Sequence, residues 1–244
     1  MQAFIAEVIP QGTLSSNNDM FMKIMFSGCD FKCPWCNTPE LLETKFEHEM
    51  DLRDVKREIE NNLGNIKGIF LTGGEPCFQK AALVDLLKKA RELKLKTVLD
   101  TNGSKPEVIE TLLKNTLVDT VIMDLKAPFN ENFEKVTKSA TFFKTSQDII
   151  HDIGQTLQVL RAYDEKIEII FRTTIIPGLM FRKEDLLKIG EEITDMRAVW
   201  ELKAFSGNDV KKQMQNINSP TRAFLENLRE IIMKEFPRLN VIVI

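Results

Sequence analysis

Short runs of apolar residues alternate along this chain with longer segments in which apolar residues recur at helical spacing. The short runs are typical of buried strands, and a period near 3.6 residues indicates a helix with one face against a core. Strands are predicted at Ala3–Ile9, Met22–Phe26, Gly68–Leu71, Thr97–Asp100, Thr120–Asp124, Ile167–Thr174, Val199–Lys203 and Val241–Ile244. Helices are predicted at Asp51–Asn62, Lys80–Leu93, Pro106–Lys114, Gln147–Tyr163, Lys183–Thr194 and Thr221–Phe236.

This strand–helix alternation predicts an α/β fold built from parallel βα units. About six units are expected, which favours a partial (β/α)6 TIM-like barrel over the eight units of a complete one. We predict a single domain over residues 1–244: an N-terminal strand and polar turn (Gly12–Asp19) over 1–20, the barrel core over 21–205, and a C-terminal helix and strand over 206–244. Functional side chains are expected at the carboxyl ends of the strands.

Composition narrows the class of protein. The chain has 244 residues, 43% of them hydrophobic, which suffices for one full core. A formal net charge of −3 argues against a nucleic-acid binder that depends on phosphate contacts. No apolar stretch reaches the length of a membrane span and no signal peptide is evident, so neither a membrane nor secretion is expected. Free thiols suit a reducing cytoplasm.

Three of the four cysteines lie within eight residues, as Cys29, Cys33 and Cys36 in a C-x3-C-x2-C pattern. Iron–sulfur clusters are normally held by cysteine thiolates. Three thiolates on one short loop can hold three irons of a [4Fe–4S] cluster and leave the fourth iron open to a small molecule. The pattern therefore predicts an iron–sulfur centre with an open coordination position.

Simpler explanations of the cysteines fit less well. A structural zinc site usually has four ligands, but Cys77 is distant in sequence and His48 and His151 show no ligand spacing to it. A redox pair of Cys33 and Cys36 would leave Cys29 unexplained. We expect Cys77 to be a buried thiol, since free cysteines are often buried.

The cysteine motif, with Trp35 directly before its last cysteine, resembles the signature of the radical S-adenosylmethionine (SAM) superfamily. Thr72–Pro76 (Thr-Gly-Gly-Glu-Pro) resembles the second motif of that superfamily, at the end of its second barrel strand. The resemblance implies a (β/α)6 barrel, a [4Fe–4S] cluster on the three cysteines, and SAM on the open iron. It also implies that Gly73, Gly74 and Glu75 hold the methionine part of SAM and that Trp35 lies against its adenine.

Three further segments narrow the resemblance within the superfamily. Asp100–Gly103, Met123–Lys126 and Phe171–Leu179 resemble corresponding segments of the activating enzymes of glycyl radical enzymes. Among these, the chain resembles activators of anaerobic ribonucleotide reductase, a group also described as homologues of pyruvate formate-lyase activating enzyme.

This narrower resemblance implies roles for residues at the strand ends. Lys126 and Arg172 would balance the methionine carboxylate of SAM. Asp100, Thr101 and Asp124 resemble a site for a monovalent cation beside the cofactor. Two carboxylates and a hydroxyl form a hard oxygen site, which suits Na⁺ or K⁺ better than a soft metal.

The resemblance also implies a reaction and its partners. The reduced cluster would donate one electron to the sulfonium of SAM, giving methionine and a 5′-deoxyadenosyl radical. That radical would abstract hydrogen from a backbone glycine of a glycyl radical enzyme, most simply anaerobic ribonucleotide reductase. A flavodoxin- or ferredoxin-type protein would supply the electron.

Some features depart from this subgroup and leave alternatives open. A histidine is expected near the last strand end, but the chain has Glu201–Phe205 there, in which Lys203 is a candidate substitute. Pro10–Gly12 and Cys29-Asp30 are similar to 7-carboxy-7-deazaguanine synthase, a radical SAM enzyme that acts on a small molecule. A radical enzyme that modifies peptides or proteins and a non-enzymatic zinc-binding module are the remaining alternatives; metal analysis would identify the latter.

Overall fold

A computed structural model describes residues 1–14, 17–207, 210 and 214–244 of the chain. Its strands are β1 (Gln2–Leu14), β2 (Asn17–Phe26), β3 (Glu49–Asp51), β4 (Gly68–Gly73), β5 (Lys96–Thr101), β6 (Thr120–Asp124), β7 (Glu168–Ile175), β8 (Val199–Ala204) and β9 (Asn240–Val243). Its α-helices are α1 (Leu52–Asn61), α2 (Lys80–Glu92), α3 (Pro106–Lys114), α4 (Asn132–Thr137), α5 (Ser146–Arg161), α6 (Lys183–Ile193) and α7 (Arg222–Glu235). Short 3₁₀ turns lie at Pro39–Leu41, Phe46–His48 and Pro76–Gln79.

The chain divides into two compact units. The first unit contains Met1–Asp30, Glu40–Thr101 and Lys105–Val121, and the second contains Phe31–Pro39, Asn102–Ser104 and Ile122–Ile244. The boundary therefore cuts the cysteine motif between Asp30 and Phe31, and it also cuts strand β6. The single domain expected over 1–244 stays a prediction, and part of its C-terminal segment, residues 208–209 and 211–213, lies outside the described residues.

In the first unit the strands lie in the order β3-β1-β2-β4-β5. β1 pairs antiparallel with both β2 and β3, whereas β2–β4 and β4–β5 are parallel pairs. The parallel strands are connected through helices, as a parallel pair requires. Buried aliphatic side chains of β2, β4 and β5 form the core, among them Met22, Ile24, Ile69, Leu71 and Leu99.

The predicted polar turn at Gly12–Asp19 is wrong in its extent. β1 continues to Leu14 and β2 begins at Asn17, with Gly12 opposite Phe21 and Thr13 opposite Met20. Pairing across an antiparallel hairpin satisfies the backbone hydrogen bonds of a polar segment, so the strand continues beyond its apolar pattern. Ser15 and Ser16, in the middle of the predicted turn, lie outside the described residues.

In the second unit the strands lie in the order β6-β7-β8-β9, and β7–β8 and β8–β9 are parallel pairs. Trp200 on β8 is fully buried, and its indole Nε1 donates a 3.0 Å hydrogen bond to Thr173 Oγ1 on β7. The Thr173 hydroxyl in turn donates to the carbonyl of Leu125, just after β6. Strands β6, β7 and β8 are thus joined by side-chain hydrogen bonds as well as by backbone pairing.

Helix α4 was not predicted from the sequence. It has only six residues, too few for a helical period to emerge from the pattern. Phe133, Val136 and Thr137 are nevertheless buried, which anchors the helix. The helix ends at Thr137, and the capping residue Lys138 has a φ of 48° and a ψ of 48°, in the left-handed region.

The predicted fold class is confirmed: the chain is α/β, with parallel strands followed by helices. The six predicted helices and all predicted strands are present, with ends shifted by a few residues, and β3 and α4 are additional. No helix among the described residues combines the length and apolar character that crossing a membrane requires.

Replacing Lys138 by glycine should stabilise the protein by about 0.5–1 kcal/mol, because glycine adopts the left-handed conformation without the steric cost of a Cβ. The matched variant Lys135→Gly removes the same charge from within α4 and should destabilise by a similar amount. Urea denaturation of both variants and the wild type measures the two changes. Shifts of the same sign would contradict the assigned end of α4.

Candidate functional site

The end of β4 is hydrogen-bonded to the end of β2 and to the residues that follow it. The amide of Gly74 donates a 2.8 Å hydrogen bond to Phe26 O, and the amide of Glu75 donates one of 2.8 Å to Gly28 O. A Cβ atom on Gly73 would lie 2.4 Å from Phe26 O, and one on Gly74 would lie 2.4 Å from Gly28 O. Gly73 also has a φ of 110°. Both glycines are therefore required by the approach of two backbones, whatever ligand they also admit.

Glu75 is fully buried in the first unit. Its Oε1 accepts hydrogen bonds from the amide of Cys77 at 3.0 Å and from Thr101 Oγ1 at 2.8 Å. The first of these bonds caps the 3₁₀ turn Pro76–Gln79. A buried carboxylate needs such donors to compensate for its lost hydration. Glu75 thus has the acceptor character that an ammonium group requires.

Cys77, next to this carboxylate, is buried as predicted. Burial raises the pKa of its thiol well above the ordinary value, and the nearby Glu75 carboxylate raises it further. Its sulfur lies 3.6 Å from Thr101 Oγ1. Cys77 is therefore a buried thiol beside Glu75 and Thr101.

Cys29 lies on a segment of the first unit that is held by backbone hydrogen bonds. The amide of Gly28 donates to Leu41 O at 2.8 Å, and the amide of Cys29 donates to Leu42 O at 3.1 Å. Asp30 follows directly and forms an ion pair with Lys105 at 3.0 Å. These hydrogen bonds fix the backbone of Cys29. The residue as a whole is half-buried and retains some exposure.

Two of the predicted cation ligands, Asp100 and Thr101, end strand β5. Asp100 Oδ2 accepts a 2.9 Å hydrogen bond from Thr72 Oγ1 on β4. The Thr101 hydroxyl is buried and donates to Glu75. These hydroxyl–carboxylate hydrogen bonds connect the carboxyl ends of β4 and β5, where the Thr72–Pro76 motif lies.

Cys33 and Cys36 lie in the second unit, on a tight turn in which the amide of Cys36 donates to Cys33 O at 3.2 Å. Burial raises the pKa of the Cys33 thiol to about 12, although the Lys126 ammonium opposes this effect. Metal binding requires the thiolate, so a metal at Cys33 must displace its proton. Cys33 is therefore buried, with the Lys126 ammonium and the Asp124 carboxylate both close enough to affect its pKa.

Helix α4 holds this turn through the carbonyl groups at its carboxyl end. Trp35 Nε1 donates a 2.9 Å hydrogen bond to Val136 O, and the amide of Lys32 donates one of 3.0 Å to Thr137 O. Phe31 contacts Phe133 edge-to-face, with ring centroids 6.1 Å apart. A helix too short to be predicted thus positions the part of the cysteine motif that lies in the second unit.

Trp35, predicted to lie against adenine, has its indole donor satisfied and only 7% of its surface exposed. Lys126 Nζ lies 5.1 Å from the centroid of its ring, a cation–π distance. The contact with adenine stays a prediction, and the structure shows that the ring already has two partners.

Asp124, at the end of β6, forms an ion pair with Lys126 at 2.6 Å. Burial alone would raise the pKa of Asp124, but the charges of Lys126, Arg172 and Lys203 outweigh it and hold the pKa below its ordinary value. Asp124 is therefore ionised at neutral pH. Lys126 contacts both this carboxylate and Trp35, which couples the strand end to the cysteine turn.

Arg172 on β7 donates from Nε to Glu201 Oε2 on β8 at 2.8 Å, and only 1% of the Glu201 side chain is exposed. Sequence reasoning had no role for Glu201 beyond noting that a histidine was missing from this strand end. Arg172 lies opposite Glu201 in the parallel pairing of β7 and β8. A charged residue inside an otherwise apolar strand is the sequence signal that could have indicated this ion pair. Lys203 lies in the same segment and contributes to the low pKa of Asp124.

The predicted site residues therefore form two sets. In the first unit, Glu75 and Thr101 are bonded to each other, and Gly73 and Gly74 adjoin the segment that leads to Cys29. In the second unit, Cys33, Cys36, Trp35, Asp124 and Lys126 form one cluster with Arg172. Across the described residues, no three Cys, His, Asp or Glu side chains are gathered as a metal site. The cluster ligands and the cation ligands accordingly stay predictions.

Replacing Gly73 by alanine should destabilise the protein by about 1–3 kcal/mol, because its φ of 110° and its contact with Phe26 exclude a Cβ. Gly154 within α5 is the matched control, since a Cβ there would have no atom within 4 Å. Gly154→Ala should stabilise by about 0.5–1 kcal/mol. Urea denaturation measures both, and equal effects would contradict the close approach of β2 and β4.

The low pKa of Asp124 predicts a pH-dependent contribution to stability. Because the folded-state pKa lies below the unfolded value of about 3.9, the ionised carboxylate stabilises the fold above that value. The contribution is lost as the pH falls through the folded-state pKa. The difference in free energy of unfolding between wild type and Asp124→Asn should therefore be largest near pH 7 and shrink below about pH 4. Urea denaturation at several pH values tests this, and a constant difference would exclude it.

Similarity to known proteins is consistent with this geometry. The chain is 27% identical over 237 residues to a protein of Methanocaldococcus jannaschii that is provisionally named a glycyl-radical enzyme activating enzyme; the match covers 96% of this chain and 93% of that one. It is 28% identical over 135 residues to 7-carboxy-7-deazaguanine synthase of Thermococcus kodakarensis, covering 48% and 52%.

Among solved structures, a domain of pyruvate-formate lyase-activating enzyme from Bacteroides vulgatus has the same fold. The TM-score is 0.53 at 16% identity, and the match covers 72% of this chain and 98% of that one. The family model of the Radical SAM superfamily matches residues 23–190, more than half of the chain and both of its motifs. This protein belongs to the Radical SAM superfamily of enzymes.

Proposed function

We propose that this enzyme is a glycyl radical enzyme activating enzyme, and that its substrate is a backbone glycine of anaerobic ribonucleotide reductase. One observation supports the class of enzyme: the similarity to the M. jannaschii protein extends over nearly the whole of both chains. The choice of anaerobic ribonucleotide reductase as partner rests on the resemblance of Asp100–Gly103, Met123–Lys126 and Phe171–Leu179 to its activators. The similarity to the deazaguanine synthase of T. kodakarensis covers only about half of each. A protein substrate is therefore favoured over a small molecule.

Membership of the superfamily implies a [4Fe–4S] cluster and SAM, which together supply a 5′-deoxyadenosyl radical when bound. We assign Cys29, Cys33 and Cys36 as the cluster ligands. The residues present suit the group: Cys33 lies near the Lys126 ammonium, which favours its thiolate, and Cys29 lies on a segment fixed by backbone hydrogen bonds. Burial around Cys33 would keep water away from the site.

Binding of SAM is assigned to groups whose chemistry matches its ends. Glu75 would accept hydrogen bonds from the methionine ammonium, and Gly73 and Gly74 would admit its close approach. Lys126 and Arg172 would balance the methionine carboxylate. Trp35 would contribute an aromatic face to the adenine.

Two carboxylates and a hydroxyl are oxygen ligands of the kind that Na⁺ or K⁺ prefers, and we assign Asp100, Thr101 and Asp124 to that cation. A competing role for Asp124 is to hold Lys126 in place, which its 2.6 Å ion pair already does. The reaction needs an external one-electron donor, for which a flavodoxin- or ferredoxin-type protein is suited. A cluster of this kind also suits the reducing cytoplasm.

The proposal predicts that the reconstituted protein forms a glycyl radical on anaerobic ribonucleotide reductase of the same organism. The two proteins are incubated without oxygen with reductant and SAM, and the electron paramagnetic resonance (EPR) spectrum is recorded. A doublet near the free-electron position, together with 5′-deoxyadenosine, is the expected result. Cys33→Ala should abolish both products and lose iron, whereas Cys77→Ala should keep its iron.

Other outcomes would separate the parts of the proposal. Formation of 5′-deoxyadenosine without a doublet would retain the radical chemistry and reject this partner. If Cys33→Ala keeps its iron and its 5′-deoxyadenosine production, the assignment of the cluster ligands is wrong. Colourless protein that contains zinc in place of iron and sulfide would reject the function altogether.

A further inference from the structure

Gln79, which no motif singled out, makes three hydrogen bonds through its side-chain amide. Its Oε1 accepts from the backbone amide of Phe4 at 2.7 Å. Its Nε2 donates to Phe4 O at 2.9 Å and to Ser27 O at 3.0 Å. The amide orientation follows from its partners, because the reverse orientation would place its oxygen against two carbonyl oxygens.

These partners connect distant parts of the first unit. Phe4 lies on β1, and Ser27 lies directly after β2, two residues before Cys29. The amide of Ser27 also donates to Phe4 O at 2.9 Å, and Ser27 is fully buried. The side chain of Gln79 therefore fixes the point at which the chain leaves β2 for the cysteine motif.

Gln79 also ends the 3₁₀ turn that begins after Glu75. At the start of this turn, Glu75 accepts from the amide of Cys77, and the amide of Glu75 donates to Gly28 O. The same four-residue turn is thus bonded to the segment before Cys29 at both of its ends. If either connection were lost, the turn would be bonded to this segment at only one end.

The hydroxyl of Ser27 gives this segment a third attachment. It donates to Glu43 O at 2.8 Å, so the 2.7 Å contact with His48 Nδ1 requires the imidazole to be the donor. These bonds act on the side chain of Ser27, whereas Gln79 acts on its carbonyl. The Ser27 carbonyl belongs to the peptide bond that joins Ser27 to Gly28, the residue before Cys29.

We propose that Gln79 is a positioning residue that fixes the segment bearing Cys29 relative to Glu75, and hence the cluster relative to the methionine ammonium of SAM. The inference rests on the proposed roles of Cys29 and Glu75. It assigns Gln79 no contact with either group. Its effect is transmitted by two backbone carbonyls and one backbone amide.

Gln79→Leu is the test variant, because it keeps the size of the side chain and removes its donors and acceptor. Gln155→Leu, on the exposed face of α5, is the matched control. Iron and sulfide content, the melting temperature of the metal-free protein, the EPR spectrum of the reduced cluster with and without SAM, and KM and kcat for SAM cleavage are measured. Cys29→Ala is carried in parallel.

We expect Gln79→Leu to raise KM for SAM about tenfold and to diminish the change that SAM causes in the EPR spectrum, with kcat altered much less. A variant that loses its cluster while the metal-free melting temperature is unchanged would also support positioning. Gln155→Leu should match the wild type in every measurement. Cys29→Ala should lose its iron, and if it does not, the proposed function has failed and not only this inference.

Wild-type KM and a wild-type EPR response in Gln79→Leu would overturn the inference, whatever the melting temperature does. If this variant does not fold, Gln79→Glu decides the matter, because it keeps the acceptor for Phe4 and replaces only the donor group. It places a carboxylate oxygen against the carbonyls of Phe4 and Ser27, so the same rise in KM is expected. A lower melting temperature with unchanged KM and EPR response would show that Gln79 is merely structural.

Discussion

The structure of the first unit depends on the approach of two backbones, at the ends of β2 and β4. Hydrogen bonds from the amides of Gly74 and Glu75 to Phe26 O and Gly28 O draw these strand ends together. The approach is possible only because neither Gly73 nor Gly74 has a Cβ. One contact thereby fixes both the segment that leads to Cys29 and the carboxylate of Glu75. A motif that is usually interpreted through its ligand thus has a second, purely steric basis.

In the second unit, a short helix and a group of charged side chains position the turn that bears Cys33 and Cys36. The carboxyl end of α4 accepts hydrogen bonds from the Lys32 amide and the Trp35 indole, and so uses carbonyl groups that every helix end leaves without internal partners. The face of Trp35 meets Lys126, which is itself paired with Asp124. The cysteine turn is consequently supported on one side by backbone polarity and on the other by a salt bridge.

Sequence reasoning was most successful where the signal is local. Helices such as α1 and α5 were predicted because their buried residues recur at helical spacing. Helix α4 was missed because six residues do not display a period, and its stability comes from burial of Phe133 and Val136. The extended β1–β2 hairpin was missed because backbone pairing sustains it where the apolar pattern has ended. Gln79 gave no signal at all, since its partners are backbone groups of Phe4 and Ser27.

Charge at the strand ends of the second unit has a further consequence. Lys126, Arg172 and Lys203 supply three positive charges, and Asp124 and Glu201 supply two negative ones, so one positive charge is in excess. The Arg172–Glu201 ion pair is largely buried, so removing either partner would leave an uncompensated charge. Glu201 Oε2 accepts a 2.8 Å hydrogen bond from Nε of Arg172, which gives the guanidinium one fixed contact. With Arg172 counted among these groups, the net charge of +1 supports the proposal that Lys126 and Arg172 balance the methionine carboxylate of SAM.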